Sequence, residues 1–494
     1  MKREHAILML IVALSIALRV FLAFSVPNLE SPAYFAVRQA EHILSEGTPF
    51  FYDHLSYGGR SLVFNPLPYY ILAGAAALFG KMIGMKLMPN LFAGLLPVLL
   101  YFLAHYLVKD RRIALLTAFI GSVLPVFIAH TLQNASIYTL VIPLSIYASY
   151  LLIRSMSSTA HRAPFLIIAI LLVLLHPSSW IWLLGFAIFF IICWVERITI
   201  SSWLKEAFLS LFFLDLVWTI LLFRPAFQRH GVQVLWQNTP LAVRTLSFVQ
   251  FDFFSAVSLI GVVPFLAAFY VIYREMHTDR EPKILFLIGQ VASPFILLWL
   301  TFLPFTTGLL LFAVALVTLF PVFFANLLQY LRITKFARWV SFVWVLMICA
   351  VLLTAFLPAV LFATQVQTAS EDLGAIADHA LLYTPQDATI ITLPEDAQFI
   401  MASTGRKTFV DTHFLMAPRA AVRIEDIHRI YRSSFSNNVL EILDDYDLNN
   451  TYIYHETGRY PGNMTFTQDT ECFHLSLRTR AGSLYEVRCR LVEQ

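Results

Sequence analysis

Runs of about 20 apolar residues, separated by short polar segments, recur along the first 363 positions and then stop. A helix rises about 1.5 Å per residue, so roughly 20 residues cross a hydrocarbon layer of about 30 Å. On that criterion the pattern predicts eleven spans, at about 6–26, 87–108, 112–131, 137–154, 163–176, 178–195, 205–223, 253–273, 283–302, 305–329 and 338–362. The run 163–195 is too long for one crossing, and His176-Pro177-Ser178-Ser179 marks a break inside it. The stretch 66–84 is apolar as well, and the basic residues decide how it is read. With 66–84 left out of the count, one face collects Lys2/Arg3, Lys109/Arg111/Arg112, Arg154/Arg162, Arg197/Lys205, Arg274/Arg280/Lys283 and Arg332/Lys335/Arg338. The connections near 132–136, 176–180 and 303–308 carry no Lys or Arg. Cytoplasmic loops are the basic ones. The N-terminus is therefore expected in the cytoplasm and the C-terminal part outside, with 66–84 an interfacial or re-entrant helix of the first outside loop.

After position 363 the period shortens. Ala388–Leu393, Lys407–Val410 and Thr451–Tyr454 read as strands, and Ile424–Tyr431 and Asn438–Tyr446 have helical spacing. Pro394-Glu395-Asp396 has the composition of a helix start. Residues 471–490 read as two strands joined through Arg480-Ala481-Gly482. The expected fold is mainly α: a polytopic membrane helix bundle over 1–363, with its first outside loop at 27–86. A small extracytoplasmic α/β domain over 364–494 follows.

Composition agrees with a membrane bundle. Hydrophobic residues make up 59% and charged residues 13% of the chain, against roughly 25% charged in soluble domains. Residues 1–363 hold 23 Lys/Arg against 13 Asp/Glu, a balance of +10, and residues 364–494 hold 11 against 18, a balance of −7. No basic face stands outside the short loops, which argues against a nucleic-acid partner. Cys193 and Cys349 fall in spans and read as packing residues. Cys472 and Cys489 stand in strand-like segments, where a bridge and two free core thiols are equally allowed. Asn449-Asn450-Thr451 and Asn463-Met464-Thr465 are sequons available for glycosylation on an outward domain.

No Walker loop, GxGxxG, HExxH or CxxC sequence is present. Polar groups instead concentrate in the first loop: Glu30, Arg38, Glu41 and Glu46, then Asp53-His54 and Gly58-Gly59-Arg60. A carboxylate just after a span sits at the lipid–water boundary, where it can act as a base, and Arg38 and Arg60 are suited to phosphate. The plainer reading of 33–46 is a solvated amphipathic helix whose charges face water. His130 and His176, at the outer ends of spans, either line a cavity or pack as ordinary core histidines.

The order of these parts resembles the GT-C superfamily of membrane glycosyltransferases, and most of all archaeal relatives of the oligosaccharyltransferase catalytic subunit. Tyr34, Phe35 and Arg38 match that family's Tyr-Tyr-x-x-Arg pattern. Gly47-Thr48-Pro49, Asp53, Gly58-Gly59-Arg60 and Pro66/Pro68-Tyr69 follow in its order. Gly405-Arg406-Lys407…Asp411 and Cys472-Phe473…Val487-Arg488-Cys489 are similar to the ends of those archaeal chains. Three departures shape what the resemblance implies. The family acid stands six residues before the arginine, where this chain has Pro32, leaving Glu30 as the nearest substitute. The second outside loop, 131–138, contains no carboxylate pair, so Mg²⁺ or Mn²⁺ lacks the oxygen ligands that hard cations want. The sequon-reading W-W-D-Y-G motif is missing too.

The resemblance thus implies an inverting, metal-independent transferase with no resident cofactor. It would use a polyprenyl-phosphate or dolichyl-phosphate sugar donor on the outer face and pass the sugar to a glycan, lipid or protein acceptor. Glu30 is the expected catalytic base and Asp53 its reserve. Tyr34, Arg38, Arg60, Arg224, Arg229, His130 and His176 are expected to bind substrate, and Arg19 either snorkels to the interface or faces the cavity. The alternatives are a catalytically degenerate subunit of envelope glycan assembly and a polyprenyl-linked glycan transporter. Asp215 is the main acid in any span, few for proton-coupled transport, and the halves show no internal symmetry.

Overall fold

The computed structural model describes residues 2–249, 252–366, 368–460, 462 and 464–490. Among them, eight helical stretches are long and apolar enough to cross a membrane: Arg3–Phe24, Lys81–Val108, Arg111–Thr131, Tyr138–Ser155, Ser202–Thr245, Pro282–Trp299, Phe305–Ile333 and Ala337–Thr364. Two apolar helices, Thr159–Leu175 and Ser179–Val195, are shorter, and the chain is extended at His176 between them. The break foreseen at His176-Pro177 is therefore there. The stretch expected as a span at 253–273 is apolar enough to cross but is sharply bent. Phe253–Ile260 and Val262–Asp279 meet at 93°, because Gly261 takes φ +87° and Pro264 follows before a new helix is under way.

Leu67–Phe79 has 13 residues, about 20 Å of helix, too short to cross the hydrocarbon. The chain reverses at Gly80 into Lys81–Val108. The two helices touch backbone to backbone, since a Cβ on Gly84 would lie 2.5 Å from the Ala75 carbonyl oxygen. Within the bundle, Asp215 of helix Ser202–His230 is 1% exposed.

Among the described residues, seven strands form two sheets. Tyr52–Asp53 (β1) and Arg60–Ser61 (β2) pair antiparallel within the first loop. Thr389–Ile391 (β3), Lys407–Thr408 (β4), Thr451–Glu456 (β5), Phe473–Arg478 (β6) and Gly482–Val487 (β7) lie in the order β4-β3-β5-β7-β6. β3 runs parallel to β4 and β5, and the last pairs are antiparallel. Pro394–Thr404 links β3 to β4, and Ala420–Arg432 and Ser436–Asp445 link β4 to β5. A Cys472–Cys489 disulfide closes the β6–β7 hairpin. In the first sequon Asn449 is exposed, but Thr451 is buried and its hydroxyl donates to the Leu448 carbonyl. Asn463 of the second lies outside the described residues.

The apolar interior divides in an unexpected place. One cluster fills the helix bundle from Ala93 to Ala355. A second takes in Leu29, Tyr34, Val37 and Tyr57 of the first loop together with Leu373, Ile390, Phe399, Phe409 and Ile453 of the tail. Loop and tail, separate in the chain, share one core.

Candidate functional site: the junction of the first loop and the tail

Helix Ala33–Glu46 turns Glu41 and Glu46 to solvent but buries its other face. Tyr34, Phe35, Val37, Gln39, Ala40 and Ile43 are buried. The Tyr34 ring meets Phe399 edge-on at 4.9 Å, and its hydroxyl accepts the Leu29 N–H at 3.5 Å. Tyr34 thus packs loop against tail rather than facing an open cavity.

Arg38 holds Asp53 through two hydrogen bonds, of 2.9 and 2.6 Å, and reaches Gln398 at 3.4 Å. Burial alone would raise the Asp53 carboxyl, but the Arg38 bonds and charge, with the Leu55 N–H, outweigh it and hold it below the ordinary range. A carboxylate so stabilised is a weak base, which removes Asp53 from the reserve role. Arg38 is committed to the same pair.

Arg60 differs most from expectation. Its Nη2 bonds both Asp411 oxygens at 2.8 and 3.0 Å, its Nε bonds Ser56 Oγ at 2.8 Å, and its Nη1 donates to the His413 carbonyl. The two charged side chains are 2% and 0% exposed. Asp411 also accepts from Ser56, Gln398 and its neighbour's backbone at His413. Tyr57 donates to the Asp411 carbonyl, while Leu55 and Tyr57 bond the backbone of Thr408 on β4. Every donor face of Arg60 is spent inside the protein, so the expectation that it grips phosphate gives way to a structural clamp. The Gly58-Gly59 turn before it has φ of +78° and +109°, a backbone that Gly adopts freely.

Glu30 is the exception among these groups. Its main-chain N–H donates to the Gln133 carbonyl at 3.1 Å, and its carbonyl accepts from Ala33. Its carboxyl is half-buried and has no hydrogen bond or ion pair among the described residues. Burial pushes it up to about 7. An unspent carboxyl that titrates near neutrality is matched to general-base work.

None of the remaining candidates bonds Glu30 among the described residues. His130 and His176 flank Tyr138, with ring centroids at 6.0 and 5.0 Å, and neither bonds Glu30. Arg224 and Arg229 are exposed near the end of Ser202–His230 and make no ion pair among the described residues. Arg19 does not snorkel: it is 1% exposed, bonds Asn90 at 3.0 Å and Thr131 at 2.6 Å, lies over the Phe127 ring, and keeps its Nη1 buried without a partner. Four participants escaped the sequence reading. Gln398 and His413 stand beside the ion pairs, and Lys86 and Gln133 bond the end of the first helix and the segment that leads from it to Glu30. Of these only Lys86, a lone cation in an apolar run, carried a signal.

No protein-family model and no curated protein sequence matches the chain. Solved structures do. The chain shares its fold with membrane glycosyltransferases of low sequence identity. The apo oligosaccharyltransferase of Archaeoglobus fulgidus is similar with a TM-score of 0.72 at 12% identity, over 92% of this chain and 69% of that one. ArnT from Cupriavidus metallidurans, bound to undecaprenyl phosphate, is similar with a TM-score of 0.57 at 11% identity over 97% of both chains. The mycobacterial arabinofuranosyltransferase AftD gives 0.61 at 13% identity, over 97% of this chain and 40% of that one. Among the described residues, no group of three or more His, Cys, Asp or Glu side chains is placed to hold a metal ion.

Proposed function

We propose that the protein is an integral-membrane glycosyltransferase that takes a sugar from a polyprenyl-phosphate donor, with Glu30 as the acceptor base. The observation that carries this reading is the Glu30 carboxyl. It is unpartnered, lifted to about 7, and set where the first loop, the second loop and the tail meet. In the reaction, an acceptor hydroxyl oxygen attacks the anomeric carbon from the face opposite the phosphate. The new C–O bond forms as the bond from carbon to phosphate oxygen breaks, inverting the centre. Polyprenyl phosphate leaves with the bonding electron pair, and the hydroxyl proton passes to Glu30. No metal enters these steps. The exposed Arg224 and Arg229 are the cations free to meet the leaving phosphate, and the similar ArnT holds undecaprenyl phosphate.

The same reading places the N-terminus in the cytoplasm and the tail outside, on the strength of the basic loops. The Cys472–Cys489 disulfide supports an oxidising compartment for the tail. The test is transfer of labelled hexose from dolichyl-phosphate hexoses by the full chain in nanodiscs, with Glu30→Gln as control. Transfer that Glu30→Gln abolishes supports the reading; transfer that survives unchanged overturns the role of Glu30. A second reading, a subunit without catalysis, is favoured by one observation: Pro32 stands where the resembling family has its acid. Donor binding without transfer from any dolichyl-phosphate or undecaprenyl-phosphate sugar would support it.

A further inference from the structure

The first helix ends at Phe24, and its last carbonyls have no partner within the helix. Beside lipid such groups must be satisfied by the protein. Two side chains from elsewhere do so. Gln133 Nε2 donates to the Leu22 and Ala23 carbonyls at 3.3 and 2.9 Å. Lys86 Nζ donates to Ala23 at 3.1 Å, to Pro27 at 3.0 Å and to Val26, placing its charge at the negative end of the helix dipole. The next three residues are pinned as well. Asn28 Nδ2 donates to the Ala369 carbonyl at 3.0 Å, and Leu29 accepts the Ala369 N–H at 3.2 Å. Glu30 N–H then donates to the Gln133 carbonyl. Gln133 acts at both ends of this segment, its side chain on the helix end and its main chain on Glu30. It is 1% exposed, and its Oε1 is buried without a partner. Filling that space would need no amide oxygen, so the amide is there for its N–H donors.

We propose that Gln133 is the positioning residue of Glu30: by gripping the end of the first helix with its amide and the Glu30 backbone with its carbonyl, it fixes where the Glu30 carboxyl points. This rests on the reading of Glu30 as the acceptor base. It assigns Gln133 no contact with substrate. A purely structural role would be satisfied by any packing that keeps the fold, whereas a positioning role requires that the surroundings of the carboxyl change when the grip is lost.

The experiment is an infrared pH titration of the full chain in nanodiscs, following the carboxyl C=O stretch that Glu30→Gln deletes. The wild-type midpoint is expected near 7. Gln133→Met keeps the size and drops the donors. Its midpoint is expected to fall by about one pH unit or more toward ordinary carboxylates, as the side chain swings to water. Transfer from a dolichyl-phosphate hexose should then lose about 10- to 100-fold in kcat, with KM for the donor within about twofold. Gln133→Asn keeps the amide one methylene short and should shift the midpoint less; it carries the measurement if the Met variant does not fold. An unmoved midpoint in a folded Gln133 variant overturns the proposal, whatever the activity. A moved midpoint with full transfer in Glu30→Gln keeps Gln133 as the positioning residue and overturns Glu30 as base.

Discussion

Arg60 and Asp411, 351 positions apart in the chain, form a buried ion pair that bolts the first loop to the tail. Removing one member of such a pair strands the other charge, at a cost of about 3–5 kcal/mol. Arg60→Ala is therefore expected to lower the melting temperature sharply and to expose the tail to protease, and Asp411→Ala to do the same. The double variant should be less unstable than the two single losses added together, because one removal already breaks the pair. Additive losses in a double-mutant cycle would dissolve the clamp. Binding of dolichyl phosphate to the folded fraction of Arg60→Ala should be unchanged; a clear weakening there would restore Arg60 as a phosphate ligand.

The large features were legible because they rest on local rules. Span length and the short period after residue 388 needed no knowledge of partners, and neither did the helix that begins at Pro394. The bend at Gly261 was hidden because a glycine inside an apolar run changes hydropathy little. The site was only half legible. Glu30 stood out by its place after a span, but Arg38, Asp53 and Arg60 advertise charge without saying where it is spent. Their partners Gln398 and Asp411 lie more than 350 positions away from Arg38 and Arg60, and no local pattern specifies such pairs.

Orientation can be read with thiol probes in a Cys349→Ala background, leaving buried Cys193 and the Cys472–Cys489 bridge in place. Glu371 and Ser157 are both exposed, one after the last span and one in a basic connection. An impermeant maleimide added to intact cells should label Glu371→Cys and spare Ser157→Cys until the membrane is opened. The reverse result would invert the topology and move Glu30 to the cytoplasmic face.

Chelation should matter little. Among the described residues no group of three or more His, Cys, Asp or Glu side chains is placed to hold a metal ion, so EDTA is expected to leave the rate of sugar transfer within about twofold. Strong inhibition reversed by Mn²⁺ or Mg²⁺ would mean that Glu30 has metal-binding partners beyond those described.

The last prediction concerns pH. Burial favours the neutral Glu30 carboxyl, so below about 7 the group carries a proton and cannot accept another. The kcat/KM of the wild type should fall about tenfold per pH unit on the acid side of 7 and level off above it. Glu30→Gln keeps the shape but has no basic oxygen, and should lose about 10²–10⁴-fold at pH 8 together with that acid limb. Stability should move the other way. A carboxyl whose folded value is raised binds its proton more tightly in the folded state, so ionising it as pH rises toward and through 7 costs stability. The wild type should therefore lose melting temperature between pH 5 and pH 8 relative to Glu30→Gln, while gaining activity over the same interval. If the two proteins melt in parallel across that range, the Glu30 carboxyl is not held in the folded chain at a raised value, and the acid limb of the rate belongs to another group.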